Sequence, residues 1–419
     1  MSSASRRRRE AGFVFILVTV ALDMLALGVM VPVLPKLIVE FEGGDLRSAS
    51  TATGVFGFAW ALMQFLCQPV LGALSDRYGR RPVVLLSNLG LGLDYVFMAL
   101  APNLAFLFVG RLISGATAAS VSTANAYIAD ITEPAKRAGR YGMIGAAFGV
   151  GFILGPAFGG WLGAHGLRLP FWAAAGLSLA NALYGFFVLP ESLASEKRAP
   201  KIVWRAAGVL GSLEFLRRDR TLSLLSLAVF LSHLAHESLP SLFVLYSDYR
   251  YHWDAATTGW SLAVVGVAQT IVSGGVVRPA VARLGEPLTA TIALVSGALG
   301  FAVMAFAPTG FAFMCGAPLI ALWSMNWPSF QGLATRRVGA CEQGRLQGAI
   351  ASLRGVSGMI GPLLFTQILA QSIGSGAAPG AGYFVAALLL AASLAALAVA
   401  ARAQGAKGET QVDRAGGAP

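Results

Sequence analysis

The chain has 419 residues, of which 56% are hydrophobic and only 12% are charged, and its mean hydropathy is +0.67. A soluble domain of this composition would have too few polar residues to cover its surface, so the composition indicates a membrane protein. The net charge of +11 would suit a nucleic-acid partner, but the positions of the basic residues explain it without one.

Twelve apolar runs are each long enough to cross a bilayer, which takes roughly 20 residues. They form two groups of six, separated by the one long polar stretch of the chain. This pattern predicts an all-α membrane protein with twelve transmembrane helices in two pseudo-symmetric six-helix bundles. The runs, numbered here as spans 1 to 12, begin near Phe13, Ala52, Val83, Asn103, Tyr141, Pro170, Thr221, Thr257, Pro287, Phe311, Leu346 and Gly380.

The same pattern predicts the domain organisation. A cytoplasmic N-terminal segment (1–12) precedes the first bundle (13–190), and a cytoplasmic linker (191–220) leads to the second bundle (221–402). The glycine-rich, charged tail (403–419) is predicted to be disordered.

The basic residues are distributed unevenly among the connections. Four of them lie in the odd-numbered connections, at Lys36, Arg47, Arg168 and Arg250, and two lie within spans. The other 25 of the 31 lysines and arginines lie in the termini and the even-numbered connections. By the positive-inside rule, we expect a multi-pass protein of the cell inner membrane with both termini in the cytoplasm.

Only five charged residues fall within the predicted spans: Asp23, Asp94, Arg111, Glu237 and Arg354. Each costs about 2.5–3.5 kcal/mol at a helix centre, and such residues mark ion pathways or proton relays. We interpret Asp23 as the leading proton carrier and Glu237 as the second, with Asp94 as a further candidate and Arg111 holding the anion. The alternative is a buried ion pair that only fixes helix packing, and Arg354 suits that alternative equally well.

Charged residues concentrate after spans 2 and 4. The stretch after span 2 contains two glycines that permit a tight turn, an acid that can cap a helix or pair with arginine, and three arginines. The end of span 4 offers the other half of a charge cluster. The residues concerned are Gly72, Asp76, Arg77, Gly79, Arg80 and Arg81 in the first stretch and Asp130, Arg137 and Arg140 in the second.

Span 5 carries glycines four residues apart, at Gly151, Gly155 and Gly159, which lie on one helical face. Such a face lets a partner helix pack backbone to backbone, which seals the interface and permits rocking. Ordinary tight packing is the alternative. Pro156 is expected to bend this helix.

The two halves contain similar short stretches at matching places. Arg77-Tyr78-Gly79 after span 2 corresponds to Arg283-Leu284-Gly285 after span 8. Gly155-Pro156 in span 5 corresponds to Gly361-Pro362 in span 11. The halves are therefore interpreted as degenerate copies, as in many transporters.

Polar and aromatic residues on helical faces predict a cavity for flat amphipathic molecules, because aromatic faces supply contact area and a few polar groups supply orientation. A possible metal-binding stretch, His233-Leu-Ala-His236-Glu237, matches neither HExxH nor HxxEH, the two motifs that zinc proteases use. The cysteines show no paired spacing either, so we expect neither a metal site nor a cofactor. The predicted cavity residues are Gln64, Asn125, His233, His236, Gln269, Asn326 and Trp327.

These motifs resemble those of the major facilitator superfamily. The stretch Gly72-x-x-x-Asp76-Arg77-x-Gly79-Arg80-Arg81 matches its loop signature. The run Gly142-x8-Gly151-x3-Gly155-Pro156-x2-Gly159-Gly160 matches the signature of its twelve-helix drug:proton antiporters. Nearly the whole chain resembles the tetracycline exporters of that class. It departs from them at Ser296-Gly297, where they usually carry an aspartate, at Gln269, where they often carry a histidine, and at Glu237, where they tend to carry a glutamine.

The resemblance implies a secondary active transporter that exports amphipathic drugs such as tetracyclines, free or as metal chelates, in exchange for protons. It also implies a cytoplasmic gate built from the charged residues after spans 2 and 4, although those arginines also serve as topology signals. The partners would be the drug, protons and the lipid bilayer, and the monomer would be functional. An importer or facilitator of a metabolite is the alternative, and a membrane sensor is a remote one. No enzymatic activity is expected, because GxSxG, HExxH and Walker A motifs are absent.

Overall fold

A computed structural model describes the fold of most of the chain. No described residue forms a strand, and nearly all of them are helical, which confirms the all-α prediction. The described residues are 3–118, 120–194, 196, 198, 216–217, 219–339, 342–376 and 378–416.

The helices are numbered here in chain order. Those before the central linker are α1 (Ser3–Met30), α2 (Leu34–Phe41), α3 (Leu46–Tyr78), α4 (Arg80–Ala99), α5 (Leu104–Thr117), α6 (Ser120–Ile131), α7 (Pro134–His165) and α8 (Leu169–Val188). Those after it are α9 (Arg220–His236), α10 (Ser238–Tyr251), α11 (Ala255–Ile271), a π-helical turn (Val272–Val276), α12 (Val277–Phe306), α13 (Gly310–Met314), α14 (Ala317–Trp323), α15 (Asn326–Thr335), α16 (Gln343–Ser375) and α17 (Ala381–Gly416).

Several apolar runs are divided into two or more helices, and prolines account for two of the breaks. The first run breaks between Met30 and Leu34, around Pro32, and α2 restarts with Pro35 in its first turn. The seventh run breaks at Glu237, four residues after His233 and three before Pro240. Proline lacks an amide hydrogen and its ring clashes with the carbonyl of the fourth residue before it, so a continuous helix is disfavoured at both places.

Ten helical segments among the described residues are long and apolar enough to cross a membrane. One of them, Ala255–Phe306, has 52 residues, which at 1.5 Å per residue gives about 78 Å, more than twice the hydrocarbon thickness. The backbone leaves the helical conformation inside it at Gly285. Span 10 falls on α13, α14 and α15, each too short to cross alone. These two features make the structure consistent with twelve membrane crossings.

The described chain divides into two compact units. Unit 1 comprises Met1–Arg205 with Phe243–Gly266, and unit 2 comprises Ala206–Leu242 with Val267–Pro419. In unit 1, α1 packs against α7 and α8, and in unit 2, α17 packs against α9 and α12. The domain bounds predicted from the sequence stay a prediction, and most of the linker 191–220 lies outside the described residues.

Candidate functional site

Three of the charged residues predicted within spans belong to one buried cluster in unit 1. Asp23 on α1, Asp94 on α4 and Arg111 on α5 are 5%, 1% and 8% exposed. Asp94 and Arg111 attract each other electrostatically, and the Arg111 guanidinium lies 5.4 Å from the centroid of the Trp60 ring. Because a charge inside a membrane segment needs an opposite charge or neutralisation, this pairing explains how Arg111 is accommodated.

Tyr95 lies within electrostatic range of this pair and of Asp23. Its side chain is buried, and it interacts electrostatically with Asp23, Asp94 and Arg111. The charge pattern alone left open which acid Arg111 faces; in the structure Asp94 is its principal electrostatic partner, and Asp23 acts electrostatically on Tyr95. Tyr95 was missed, although a tyrosine directly after an acid inside a span is a visible signal.

The other two charged residues within spans, Glu237 and Arg354, lie in unit 2 and attract each other electrostatically. Glu237 therefore belongs to a different compact unit from Asp23. The helix break places it between α9 and α10, where its amide donates to the carbonyls of His233 and Leu234. The proton-coupling roles of Asp23, Glu237, Asp94 and Arg111 stay predictions.

Both predicted histidines contact tryptophans. The His233 and Trp327 rings meet edge to face with centroids 5.2 Å apart, and the His236 and Trp323 centroids are 5.7 Å apart. The spacing of three residues puts the two histidines on one face of α9, so they form one aromatic wall with the tryptophans.

The remaining predicted cavity residues differ in their surroundings. Asn326 is buried and donates through Nδ2 to the Ser232 hydroxyl. Gln64 and Gln269 are half-buried, and Asn125 is exposed. Among the described residues, no group of three histidine, cysteine, aspartate or glutamate side chains could hold a metal ion.

The charged stretch after span 2 contains an ion-pair cluster. Arg80 Nη1 lies 2.5 Å from Asp76 Oδ1, and Arg80 Nε lies 3.1 Å from Asp130 Oδ2. The structure thus brings together acids from the ends of α3 and α6 around the first residue of α4. The turn is shorter than predicted: α3 continues to Tyr78, so Gly72 lies inside the helix, and the turn is made at Gly79, whose φ is +106°.

In the described part of the chain, the other predicted gate arginines contact backbone carbonyls, a hydroxyl or an aromatic ring. Arginine suits this use because its guanidinium both donates several hydrogen bonds and stacks on rings. Arg77 lies over the Tyr78 ring, Arg81 donates to the Phe186 carbonyl, Arg137 donates to the Ala129 and Thr132 carbonyls, and Arg140 donates to the Thr132 hydroxyl.

Glu191, placed only at the start of the linker by the sequence analysis, belongs to this cluster. Its Oε1 accepts a hydrogen bond from the Arg80 amide at 2.9 Å, and its Oε2 accepts one from the Arg81 amide at 3.3 Å. A carboxylate at the N-terminus of a helix satisfies free amides and complements the helix dipole, so Glu191 caps α4. Tyr127 binds the same segment by donating to the Pro190 carbonyl at 2.9 Å.

The glycine face of α7 packs against α1. A Cβ added at Gly155 would lie 2.6 Å from Gly28 Cα, and one at Gly151 would lie 2.7 Å from Met24 Cβ. Backbone-to-backbone packing was predicted for this face, and α1 is the partner. Gly159 packs on the same helix, against the backbone of Val29. The other motif glycines differ: Gly160 abuts Ala255 and Gly259 of α11, and Gly142 has open space around it.

Lys36 on α2 contacts the last turn of α10 and the segment that follows it. Its Nζ donates to the Trp253 carbonyl at 2.6 Å and lies 3.4 Å from Asp248 Oδ1. Asp254 caps α11 by accepting from the Thr257 amide at 2.7 Å. Hydrogen bonds from Thr257 hold the pKa of Asp254 below its ordinary value of 3.8, and attraction to Lys36 acts in the same direction.

Comparison with known proteins connects these features with transport. A family model described as Major Facilitator Superfamily matches residues 16–362. The class C tetracycline resistance protein of Escherichia coli is 40% identical over 359 residues, covering 86% of this chain and 90% of that protein. The class G protein of Vibrio anguillarum is 37% identical over 362 residues, covering 86% and 90%.

Solved structures share the fold. The crystal structure of the human organic anion transporter MFSD10 matches with a TM-score of 0.69 and 24% identity, covering 93% of this chain and 99% of that one. The nucleoside transporter NupG matches with a TM-score of 0.75 and 13% identity, covering 93% and 98%. At these identities the likeness concerns the fold alone.

Proposed function

The chain belongs to the major facilitator superfamily, and from that premise we propose that it exports amphipathic drugs of the tetracycline kind in exchange for protons. The observation that carries the proposal is the buried cluster of Asp23, Asp94 and Arg111 on three helices of unit 1. The 40% identity to a tetracycline resistance protein supports the drug as cargo. The protein would lie in the cell inner membrane with both termini in the cytoplasm, function as a monomer and carry out no enzymatic reaction.

The cluster has the composition that proton exchange needs. A carboxylate removed from water is stable when it is protonated or when it faces a positive charge. Arg111 is a buried positive charge that is attracted to Asp94, and Asp23 lies close enough to act on the neighbouring Tyr95, so we propose that Asp23 and Asp94 compete for its stabilisation. Proton uptake by one acid frees Arg111 for the other, and this rearrangement is the step that would couple proton movement to a change of conformation.

The sequence differences from the tetracycline exporters affect which residue of the second half would take part in proton coupling. Ser296 stands where they usually carry an aspartate, and its hydroxyl donates to the Leu319 carbonyl at 3.0 Å. Unit 2 still contains a charged pair, Glu237 with Arg354. We therefore expect Glu237 to supply the acidic group that position 296 lacks.

Drug susceptibility tests the proposal. Expression in a pump-deficient host is expected to raise the inhibitory concentration of tetracycline, and a protonophore is expected to abolish drug export from the cells. Asp23→Asn is expected to return susceptibility to the vector level at an equal amount of protein in the membrane. Asp45→Asn is the matched control, because Asp45 is an exposed cap of α3 and asparagine also caps helices.

Two results would contradict the proposal in different ways. Unchanged susceptibility across tetracyclines, phenicols, quinolones and cationic dyes would rule out drug export. Full export by Asp23→Asn would remove Asp23 from proton coupling.

Uptake of tetracycline into inverted vesicles with Mg²⁺ or with a chelator shows whether the cargo is the free drug or its metal chelate.

A further inference from the structure

Unit 2 presents an exposed positive charge within a membrane-crossing helix. Arg354 lies about one third of the way along the segment Gln343–Ser375, and its side chain is exposed. Its guanidinium carbon lies 5.0 Å from the centroid of the Trp327 ring. A guanidinium stacked on an indole keeps its N–H donors in the plane of the group, where they remain available to a second partner.

The face of α16 beyond Arg354 is open next to this charge. Gly358 and Gly361 follow Arg354 at four and seven residues, so the three lie on one side of the helix. A Cβ at Gly358 would meet no atom within 4 Å, whereas one at Gly361 would lie 2.6 Å from Glu237 Cγ. Along this face the Arg354 guanidinium is therefore followed by the open position at Gly358 and then by the Glu237 side chain packed on Gly361.

Aromatic rings stand beside this face. Trp327 contacts both Arg354 and His233, and Trp323 contacts His236. The indole of Trp323 is held in place because its Nε1 donates to the Ser232 hydroxyl at 3.3 Å. Rings fixed in this way offer flat apolar area at low entropic cost.

We propose that Arg354, Gly358 and Trp327 form a subsite for the anionic group of an aromatic ligand, which replaces Glu237 as the partner of Arg354. Arg354 is exposed, whereas Glu237 is half-buried and packs against Gly361, so an incoming ligand meets the positive charge first. A guanidinium binds a carboxylate or an enolate through paired hydrogen bonds. The inference rests on the proposed function, because it assigns a charge to the ligand group that the transport site takes.

Binding of two ligands of equal shape tests the subsite. The full-length protein in lipid nanodiscs is titrated with 2-naphthoate and 2-naphthamide, which differ in charge and not in ring system. We expect naphthoate to bind about tenfold more tightly, the difference that one charge-assisted hydrogen-bonded pair provides. Arg354→Gln is expected to remove this preference and to leave naphthamide binding unchanged.

Gly358→Leu tests the location independently of the charge. A leucine side chain would fill the open stretch beside Arg354 and is expected to weaken binding of both ligands. Gly176→Leu is the matched control, because Gly176 is an exposed helical glycine of α8 that also has no atom within 4 Å of its Cβ position. Each variant is first shown to be monodisperse and to unfold at the wild-type temperature.

The outcomes separate this inference from the proposed function. Equal affinity of the wild type for both ligands, or an unchanged preference in Arg354→Gln, would overturn the anion subsite, as would wild-type binding by Gly358→Leu. Drug export with no naphthoate preference would overturn the subsite and leave the proposed function standing. A preference that Arg354→Gln removes, in a protein that exports no drug, would support the subsite and overturn the proposed function.

Discussion

The neighbours of Arg111 stabilise its buried charge to different extents. Asp94 supplies the largest attraction, Tyr95 adds to it, and the Trp60 ring covers the guanidinium. Asp23 acts electrostatically on Tyr95. The buried charge of Arg111 is stabilised mainly by its charged partner, because lipid and apolar side chains cannot replace the solvation that water would provide.

We predict that Asp94→Asn destabilises the protein by about 3 kcal/mol, because it leaves the Arg111 charge buried without its principal partner. Arg111→Gln should have a similar cost for the converse reason. The double variant should cost less than the sum of the two, with a coupling energy of at least about 1 kcal/mol, because neither charge remains. Unfolding of the purified variants by sodium dodecyl sulfate measures all three; strictly additive costs would show that Asp94 and Arg111 do not act as a pair.

The sequence identified the charged residues of this cluster but not their pairing. Asp23, Asp94 and Arg111 stand out because charges are rare in apolar runs. Which acid faces Arg111 depends on the rotation and crossing of α1, α4 and α5, and these are set by contacts between residues far apart in the chain. Glu191 was missed for the same reason, since its partners Arg80 and Arg81 are more than one hundred residues away.

At the level of helices, the two halves share a turn whose backbone has the same conformation. Gly79 ends α3 with φ +106° and ψ 161°, and Gly285 interrupts α12 with φ +76° and ψ 165°. This region of backbone space is populated almost only by glycine. The likeness supports the interpretation of the halves as degenerate copies. The turns differ in surroundings, because the Glu191 carboxylate lies against Gly79, whereas Pro287 Cδ, at 3.7 Å, is the contact at Gly285.

We predict that Gly79→Ala costs more stability than Gly285→Ala. Both substitutions incur the backbone strain of about 1–3 kcal/mol. Only Gly79→Ala also displaces Glu191 from the N-terminus of α4, which adds about 1 kcal/mol for the lost cap. Denaturation of the two variants in detergent measures the difference.

Glu191→Ala provides the control for this comparison, because the cap is then absent before the glycine is changed. In that background the two alanine substitutions should cost nearly the same. A difference that persists without Glu191 would mean that the cap is not its cause.

Helix positions could be predicted more fully than helix interruptions. The hydropathy of the runs located the membrane-crossing segments, because lipid requires continuous apolar helices. The breaks at Glu237 and within 310–335, and the π-helical turn at Val272–Val276, were not predicted. Such breaks are tolerated in a membrane only when neighbouring helices satisfy the released backbone groups, and the sequence of one segment does not contain that information.

At the scale of the whole molecule, the compact units do not coincide with the two sequence halves. Residues 243–266 follow the linker in sequence but belong to unit 1. The contacts that hold this segment there include those of Lys36 with Trp253 and Asp248 and the packing of Gly160 on Gly259. In transporters built from two repeats, cargo passes as one repeat rocks against the other. If the two halves of this chain move in the same way, contacts that join a first-half residue to a second-half residue would break and re-form during each cycle.

We predict that reversing the charge of Lys36 or of Asp248 alone impairs function, whereas exchanging the two charges restores part of it. Lys36→Asp places two acids within the distance of an ion pair, and Asp248→Lys places two bases there, so each should reduce drug resistance. The double exchange restores the attraction and should recover part of the resistance; recovery stays partial because aspartate cannot donate to the Trp253 carbonyl. A double-mutant cycle on unfolding should give a coupling energy of about 1 kcal/mol, the upper end of the range for exposed pairs, because both side chains are partly buried. Arg47→Asp, an equal charge change at an exposed position, is the control. If both single reversals export drug as the wild type does, the Lys36 contact takes no part in the transport cycle.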